Sequence, residues 1–389
     1  MQRILLTLLL LSHAMPRASV AQTPGKKPPT EQPAAFQLKP GEFPPAGSEK
    51  KLSGELIALD HVNRAGVLRM DRADEQTRPQ WDRPSPFTLL PFATVMYHGA
   101  PAELRDIPIG THLHGHFYEG EKVPQFPAAY VPALGSEARL SIYVRFSRAS
   151  RLEDDFSRDQ SSGRTWRVER LDVESGKLTV IGMSADKRAD KQATVFDIGP
   201  EARVWKGKGF GTLADVRAGQ SVLVNLTLCT LFGAGRVVEI WLDDESRAAA
   251  AAHQIEKHLR YQRQHGVAGW IDAVDNSTGE VFITLFPGVE AKLFDDFNAV
   301  GICRVATAQD SLRTYWTIND NKAGPATTLR VPAGERGAGG MRVTITIGRA
   351  GMLEGFRPTR IVRVWPGDGK IIPGWHMQEL PKEEQLIEQ

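Results

Sequence analysis

Three histidines, His112, His114 and His116, occupy alternate positions of GTHLHGHFYE in a chain that has ten histidines in all. Alternate residues of a β-strand share one face. Neutral imidazole is a ligand for zinc, copper and nickel, so the chemistry on offer is transition-metal binding. Each residue of a strand advances about 3.3 Å, which sets His112 about 13 Å from His116 along the backbone. Zinc–nitrogen bonds are only about 2.1 Å long, so two neighbours can converge on an ion while three on one flat strand cannot. The expected ligand set is His112 and His114, completed by His98 from the turn MYHGA, with His116, His61 and Glu119 as alternates. The competing reading is a polar strand face that uses histidine without a metal.

Other candidates carry less. His253 and His258 are five apart on a helical segment, so they fall on different faces and read as solvated surface. The acidic run Leu152 to Phe156 lies among Arg148, Arg151, Arg158 and Arg164 and reads as a self-neutralised loop, with calcium binding as the alternative. GERGAGG (334–340) precedes a strand and lacks the Lys-Ser/Thr of a phosphate loop, so it reads as a hairpin. With neither a G-x-S-x-G elbow nor an activated cysteine in view, no enzymatic activity is expected.

The elements that must position these histidines are short, β-branched and alternating, separated by Gly, Asp and Asn turns, so the class is mainly β. Three segments share one plan: GELIALDHVNRAGVLRM (54–70), RVERLDVESGKLTVIGM (167–183) and GWIDAVDNSTGEVFITL (269–285). Each is a β-hairpin with an aspartate (Asp60, Asp172, Asp275) and a turn glycine (Gly66, Gly176, Gly279). A second block recurs as AELRDIPIGTHLHGHFY (102–118) and GTLADVRAGQSVLVNLT (211–227), with Leu104, Asp106 and Gly110 matching Leu213, Asp215 and Gly219. GGMRVTITIG (339–348) is its looser third copy. Closing strands recur as RVVEIW (236–241) and RIVRVW (360–365), and more weakly as RLSIYV (139–144).

The repeats supply an internal control. His112, His114 and His116 align with Ser221, Leu223 and Asn225 and with Arg342, Thr344 and Thr346; the opposite face is Leu113, Gly115 and Phe117 against two apolar triplets. The apolar face is the barrel interior and the histidines stand outside it. Gly115 is a candidate bulge that would disturb the alternation.

A meander this short removes its edges best by closing, so each copy is expected to be a small barrel. The hairpin aspartate and the Leu-x-Asp-x-x-x-Gly turn resemble those of OB-like small β-barrel domains, often in tandem in exported bacterial proteins. The chain as a whole is similar to uncharacterised exported proteins of planctomycete-type bacteria. That resemblance implies a fold and carries over no catalytic residue.

The expected organisation is three tandem OB-like small β-barrels with one connecting α-helix. Residues 1–21 read as a signal peptide, with Arg3 before the apolar run Ile4 to Leu11 and cleavage after Ala21. There follow a Pro/Lys-rich linker (22–50), the His-rich barrel (51–150), a charged linker (151–165), a second barrel (166–243), a helix (244–265), a third barrel (266–367) and a tail (368–389). On the helix, Ala248, Ala251, Ala252, Ile255 and Leu259 form the expected apolar stripe, with Glu256 and Arg260 spaced as an ion pair.

A leader cleaved after Ala21 takes two of the 48 basic residues and none of the 46 acidic ones, so the remainder is neutral. Neutrality makes nucleic acid a poor partner, and no later apolar run is long enough to span a membrane. An exported binding or scaffolding protein of the periplasm or cell surface is the expected function, with an unidentified protein or envelope partner. A zinc or copper binder is the alternative. Cys229 and Cys303 are the only cysteines and fit either one disulfide or two buried thiols.

Overall fold

The computed structural model describes residues 48–61, 63–71, 84–120, 145–227, 234–298, 300–307, 321–331, 340–348, 355–367 and 375. The signal peptide, nearly all of the Pro/Lys-rich linker, the segment RLSIYV, most of GERGAGG, Cys229 and His376 lie outside them. The fold is mainly β, built as three closed small barrels.

The first barrel holds β1 (Lys50–Asp60), β2 (Ala65–Met70), β3 (Pro84–Tyr97), β5 (His112–Tyr118) and β6 (Arg148–Asp154), with β4 (Ala100–Pro101) as a short hairpin on β3. Its strands close in the order β2-β1-β5-β6-β3, and β3 returns to β2. Only β3 and β6 run parallel. This is the order of a five-stranded OB-fold. The second barrel repeats it with β7 (Thr165–Asp172), β8 (Lys177–Met183), β9 (Thr194–Lys206), β11 (Ser221–Thr227) and β12 (Arg236–Trp241), plus the short β10 (Gly209–Gly211) on β9.

The third barrel departs from this order. β13 (Val267–Asp275), β14 (Glu280–Leu285), β15 (Val300–Thr307), β16 (Asn321–Val331), β17 (Gly340–Thr346) and β18 (Ile361–Pro366) close as β13-β14-β17-β16-β15-β18, with every pairing antiparallel. β17 therefore lies beside the second strand of its barrel, whereas β5 and β11 lie beside the first. Matching Gly340 to Gly110 and Gly219 keeps the inside–outside alternation but not the place in the fold.

The repeated motifs have repeated local causes. Asp60, Asp172 and Asp275 each accept a backbone N–H from the hairpin turn, from Asn63, Ser175 and Ser277. In the second and third hairpins the left-handed residue is Gly176 or Gly279, but in the first it is Arg64, while Gly66 sits in β2 against the Phe87 ring. Each first strand also carries a register shift three residues before its aspartate, at Ile57, Glu169 and Asp272. Such bulges bend a strand enough to curl a small barrel. The Leu-x-Asp blocks are single 3-10 turns closed by the side chains of Asp106 and Asp215.

The segment 151–165 is not a linker. It carries the end of β6, which closes the first barrel, and then helix α1 (Asp155–Ser162). Asp154 caps that helix by accepting the Ser157 N–H, and Gly163 ends it in the left-handed region. Helix α2 (Asp244–His265) follows the second barrel, and its buried face is not the alanine stripe. It is Ser246, Ala250, Gln254, His258, Gln262 and His265, so His258 is buried rather than solvated. The physical reason is what the helix lies on. Gln254 donates to the Pro101 carbonyl and to Asp106, Lys257 pairs with Asp106 at 2.8 Å, and Gln262 donates to Glu103, all in the first barrel. From the third barrel, Arg363 donates to Gln262 and the Glu290 N–H reaches His258 Nε2. The Glu256–Arg260 pair forms on the outer face at 2.9 Å.

The first and third barrels also meet directly through Leu90, Phe92, Tyr118, Trp270 and Phe286. Phe92, Trp270 and Phe286 pack edge to face with centroids 5.7 to 6.3 Å apart. In the tail, Trp375 is buried in the third core and donates to Asp296. Cys303 carries a free thiol, which burial pushes up to a pKa of about 12. No helix among the described residues is long and apolar enough to cross a membrane.

Candidate metal centre

β5 pairs with β1 without a register shift from Lys50 to Glu55, so the alternation of HLHGHFY is intact. Leu113 and Phe117 enter the first core. Gly115 is no bulge on that side. A Cβ there would lie 2.2 Å from the Phe117 ring, which folds back over it. The three histidines point out of the barrel, yet His112 is only 4% exposed. What covers it is the start of helix α1.

Asp155 Oδ1 receives both imidazoles, Nδ1 of His112 and Nε2 of His114, each at 2.8 Å. The two rings stand nearly perpendicular, 4.7 Å apart. His112 Nε2 meets Asp71 Oδ2 at 2.7 Å, and Ser53 donates to the same oxygen. Both nitrogens of His112 thus face carboxylates, the arrangement of an imidazolium that donates twice. Burial alone would lower its pKa, but Asp155 and Asp71 hold it well above the ordinary value. Burial likewise opposes the charge on Asp155, and the two histidines overcome it, holding that carboxyl far below the usual range.

His114 is fixed differently. Arg158 Nη1 donates to its Nδ1 at 3.2 Å, so its proton is on Nε2, toward Asp155. Arg158 is itself held by two hydrogen bonds to Asp159, whose other oxygen accepts from Trp166.

His98 does not join this pair. Its Nε2 meets Glu239 of the second barrel at 2.8 Å, its ring stacks on Tyr97, and its backbone N–H donates to Asp154. His116 faces Glu49 at 3.2 Å. The Nε2 of His61 is buried and has no hydrogen-bond partner among the described residues. Glu119 pairs with Arg145 at 3.5 Å. Among the described residues, the set whose ligand atoms lie within 4.8 Å of one another is His112, His114 and Asp155.

Helix α1 is sandwiched between two equivalent strands. On the β11 side, the Phe156 N–H donates to Asn225 Oδ1 and the Leu226 N–H to Asp155 Oδ2. Asn225 Nδ2 bridges Asp154 at 2.8 Å and Glu239 at 3.3 Å. Phe156 packs on Leu223, Trp241 and Ala250. Outward residues of the two equivalent strands, His112 and His114 of β5 and Leu223 and Asn225 of β11, therefore meet the same helix from opposite sides.

In the sequence Asp154, Asp155 and Arg158 read only as part of a self-neutralised acidic run, or a calcium site, and Asp71, Glu239 and Asn225 were not picked out as partners of the histidines. One signal was available: Asp154 followed nine residues later by Gly163 is a cap and a stop around a helix of two turns. Asp71 and Glu239 carry no local signal, because their roles come from tertiary contacts. No family model matches the chain, and no match was found among curated proteins or solved structures.

Proposed function

We propose that this is an exported, non-catalytic protein of the periplasm or cell surface that binds or scaffolds a partner through a body of three braced barrels. One observation carries the reading. The side chains best equipped for chemistry, His98, His112, Asp154, Asp155 and Glu239, are engaged with one another across the junction of the first two barrels. A catalytic acid or base needs a face open to substrate, and these groups are spent on joining domains. The likeness to tandem OB-like exported proteins belongs to this proposal, and neutral charge supports a partner other than nucleic acid. The test is to express the full chain, map its new N-terminus, and capture partners from the envelope with and without chelator. Cleavage after Ala21 and partners that survive chelation are expected; a chain left uncleaved in the cytoplasm contradicts export.

A second reading is a transition-metal site for zinc or copper at His112, His114 and Asp155, in place of the set that includes His98. The convergence of the three ligand atoms favours it. Asp71 would serve as the outer carboxylate that orients a ligating histidine. Arg158 opposes it, since a metal on Nε2 of His114 puts the remaining proton on Nδ1, facing a guanidinium N–H. Binding must also expel the second proton of His112, so affinity would climb with pH. Zinc titration of chelated, untagged protein beside the double variant His112→Ala, His114→Ala tests it, and absence of a stoichiometric ion in the wild type sinks it.

A further inference from the structure

Helix α2 ends between the first and third barrels, and arginines from both gather there. The His265 ring stacks on one face of Tyr261 with centroids 4.1 Å apart, which leaves the opposite face to two guanidinium groups. That of Arg105, from the 3-10 turn of the first barrel, lies 5.2 Å from the Tyr261 ring centre. That of Arg363, from β18 of the third barrel, lies 6.0 Å from it. Arg64 enters from the first hairpin, where its Nη1 donates to the Pro91 carbonyl. On either side of Pro91, Leu90 and Phe92 join the cluster that packs on Ala268, the residue paired with Arg363.

The charges at this junction do not balance. Arg363 is 6% exposed, and no other arginine or lysine among the described residues is buried. A buried cation is costly without a counter-charge. Arg363 Nη1 donates to the Gly266 carbonyl and to Gln262, both neutral, and its Nε is buried with no hydrogen-bond partner among the described residues. Arg64 is half-buried, its Nε is likewise unpartnered, and neither guanidinium forms an ion pair with a described carboxylate. Burial lowers the Arg64 pKa, Glu103 raises it, and Arg363 lowers it again. Glu103 supplies one negative charge, part of which is spent on accepting from Gln262. Asp106, the adjacent carboxylate, is neutralised by Lys257. The C-terminus of α2 contributes about half a charge more. Two guanidiniums against these leave a positive excess, even with Arg105 left out of the count.

What suits that excess is an anion with several oxygens. Guanidinium forks match the oxygens of phosphate and sulfate, and arginines from three different segments suit a tetrahedral group better than a planar carboxylate. Entry is open on the side of Arg105, which is exposed, and Tyr261, which is half-buried.

We propose that Arg64, Arg105 and Arg363 bind an oxyanion, a phosphate or sulfate group, beside Tyr261 where the first and third barrels meet α2. The site shares no residue with the histidine cluster. It stands apart from the scaffolding reading, because partner capture tests the one and anion titration the other.

The experiment is calorimetric titration of the untagged full chain, in chloride at constant ionic strength, with inorganic phosphate, sulfate, O-phosphoserine and acetate. One site per chain is expected for phosphate or sulfate, with acetate at least about tenfold weaker, the worth of one charged hydrogen bond. Phosphoserine bound as tightly as phosphate makes the ligand a group carried on a larger molecule; its exclusion makes the ligand the free ion, and the proposal holds in both cases. Arg105→Gln, on the exposed side, and Arg64→Gln should each weaken binding about tenfold or more. Arg170→Gln, an exposed arginine of the second barrel, should leave it unchanged. No one-site binding of either ion, acetate bound as tightly as both, or wild-type affinity in both Arg64→Gln and Arg105→Gln overturns the proposal.

Discussion

The first barrel meets its two neighbours by opposite means. Against the third barrel it places Leu90, Phe92 and Tyr118 on Trp270 and Phe286, an apolar contact of interlocking rings. Against the second it places His98, His112 and His114 around Asp154, Asp155, Asn225 and Glu239, a buried network of charges and amides. Apolar contacts are non-directional and tolerate a shift in register. A buried ionic network is satisfied in one geometry and costly in any other. The comparison teaches that one junction supplies adhesion and the other fixes orientation. Helix α2 spans both, and its glutamines read polar groups of the first barrel rather than an apolar groove.

The largest effects should come from breaking each junction at its centre. Asp155→Ala leaves His112 with Asp71 alone and strips the Leu226 N–H of its acceptor, at an expected cost of about 3–5 kcal/mol. Trp270→Ala removes the ring that Phe92 and Phe286 pack on, with a cost of about 3–5 kcal/mol. Urea unfolding measures both. They are distinguished by pH, since only the first should vary with it.

The sign of that variation follows from the two shifts. His112 is raised above its ordinary value of 6.5, so its contribution is whole below about pH 6.5 and is lost as pH climbs through the elevated folded value. Asp155 is lowered below 3.8, so its contribution is whole above about pH 3.8 and is lost as pH falls through the depressed folded value. The ionic junction should be strongest between these limits and weaken on either side. Unfolding free energy of wild type against Asp155→Ala across pH 3 to 9 checks this; a constant difference would mean the pair is not charged.

A smaller effect is expected at the helix. Gln254→Leu leaves the Pro101 carbonyl and a lone pair of Asp106 unpaired and should cost about 1–3 kcal/mol. At the bottom of the scale, Arg260→Ala removes an exposed pair with Glu256 and should cost no more than about 0.5 kcal/mol. Thermal melts of the two variants side by side test whether the buried face of α2 is the polar one.

What the sequence disclosed follows from the range of the forces involved. Barrel interiors were legible because alternation is local, and Leu113, Phe117, Val222 and Val224 lie in the cores that it assigns. Hairpin aspartates and capped turns were legible for the same reason. The third barrel's strand order was not, since β17 has the same alternation whichever neighbour it takes. His112 and His114 were found by spacing, but their partners lie 41 and 43 residues away in the chain. His98 was assigned to the wrong cluster because its partner, Glu239, belongs to another barrel. SVLVNLT did carry a clue, because a strand with few polar breaks is buried on both faces.

Both ring nitrogens of His112 face carboxylates, so its protonation is what the account of this junction stands on. The most direct measurement is nitrogen NMR of the His112 ring in untagged full-length protein, combined with metal analysis of the same sample. Two protonated ring nitrogens at pH 6.5 and no stoichiometric metal are predicted. A stoichiometric zinc or copper ion with Nδ1 of His112 deprotonated would contradict it.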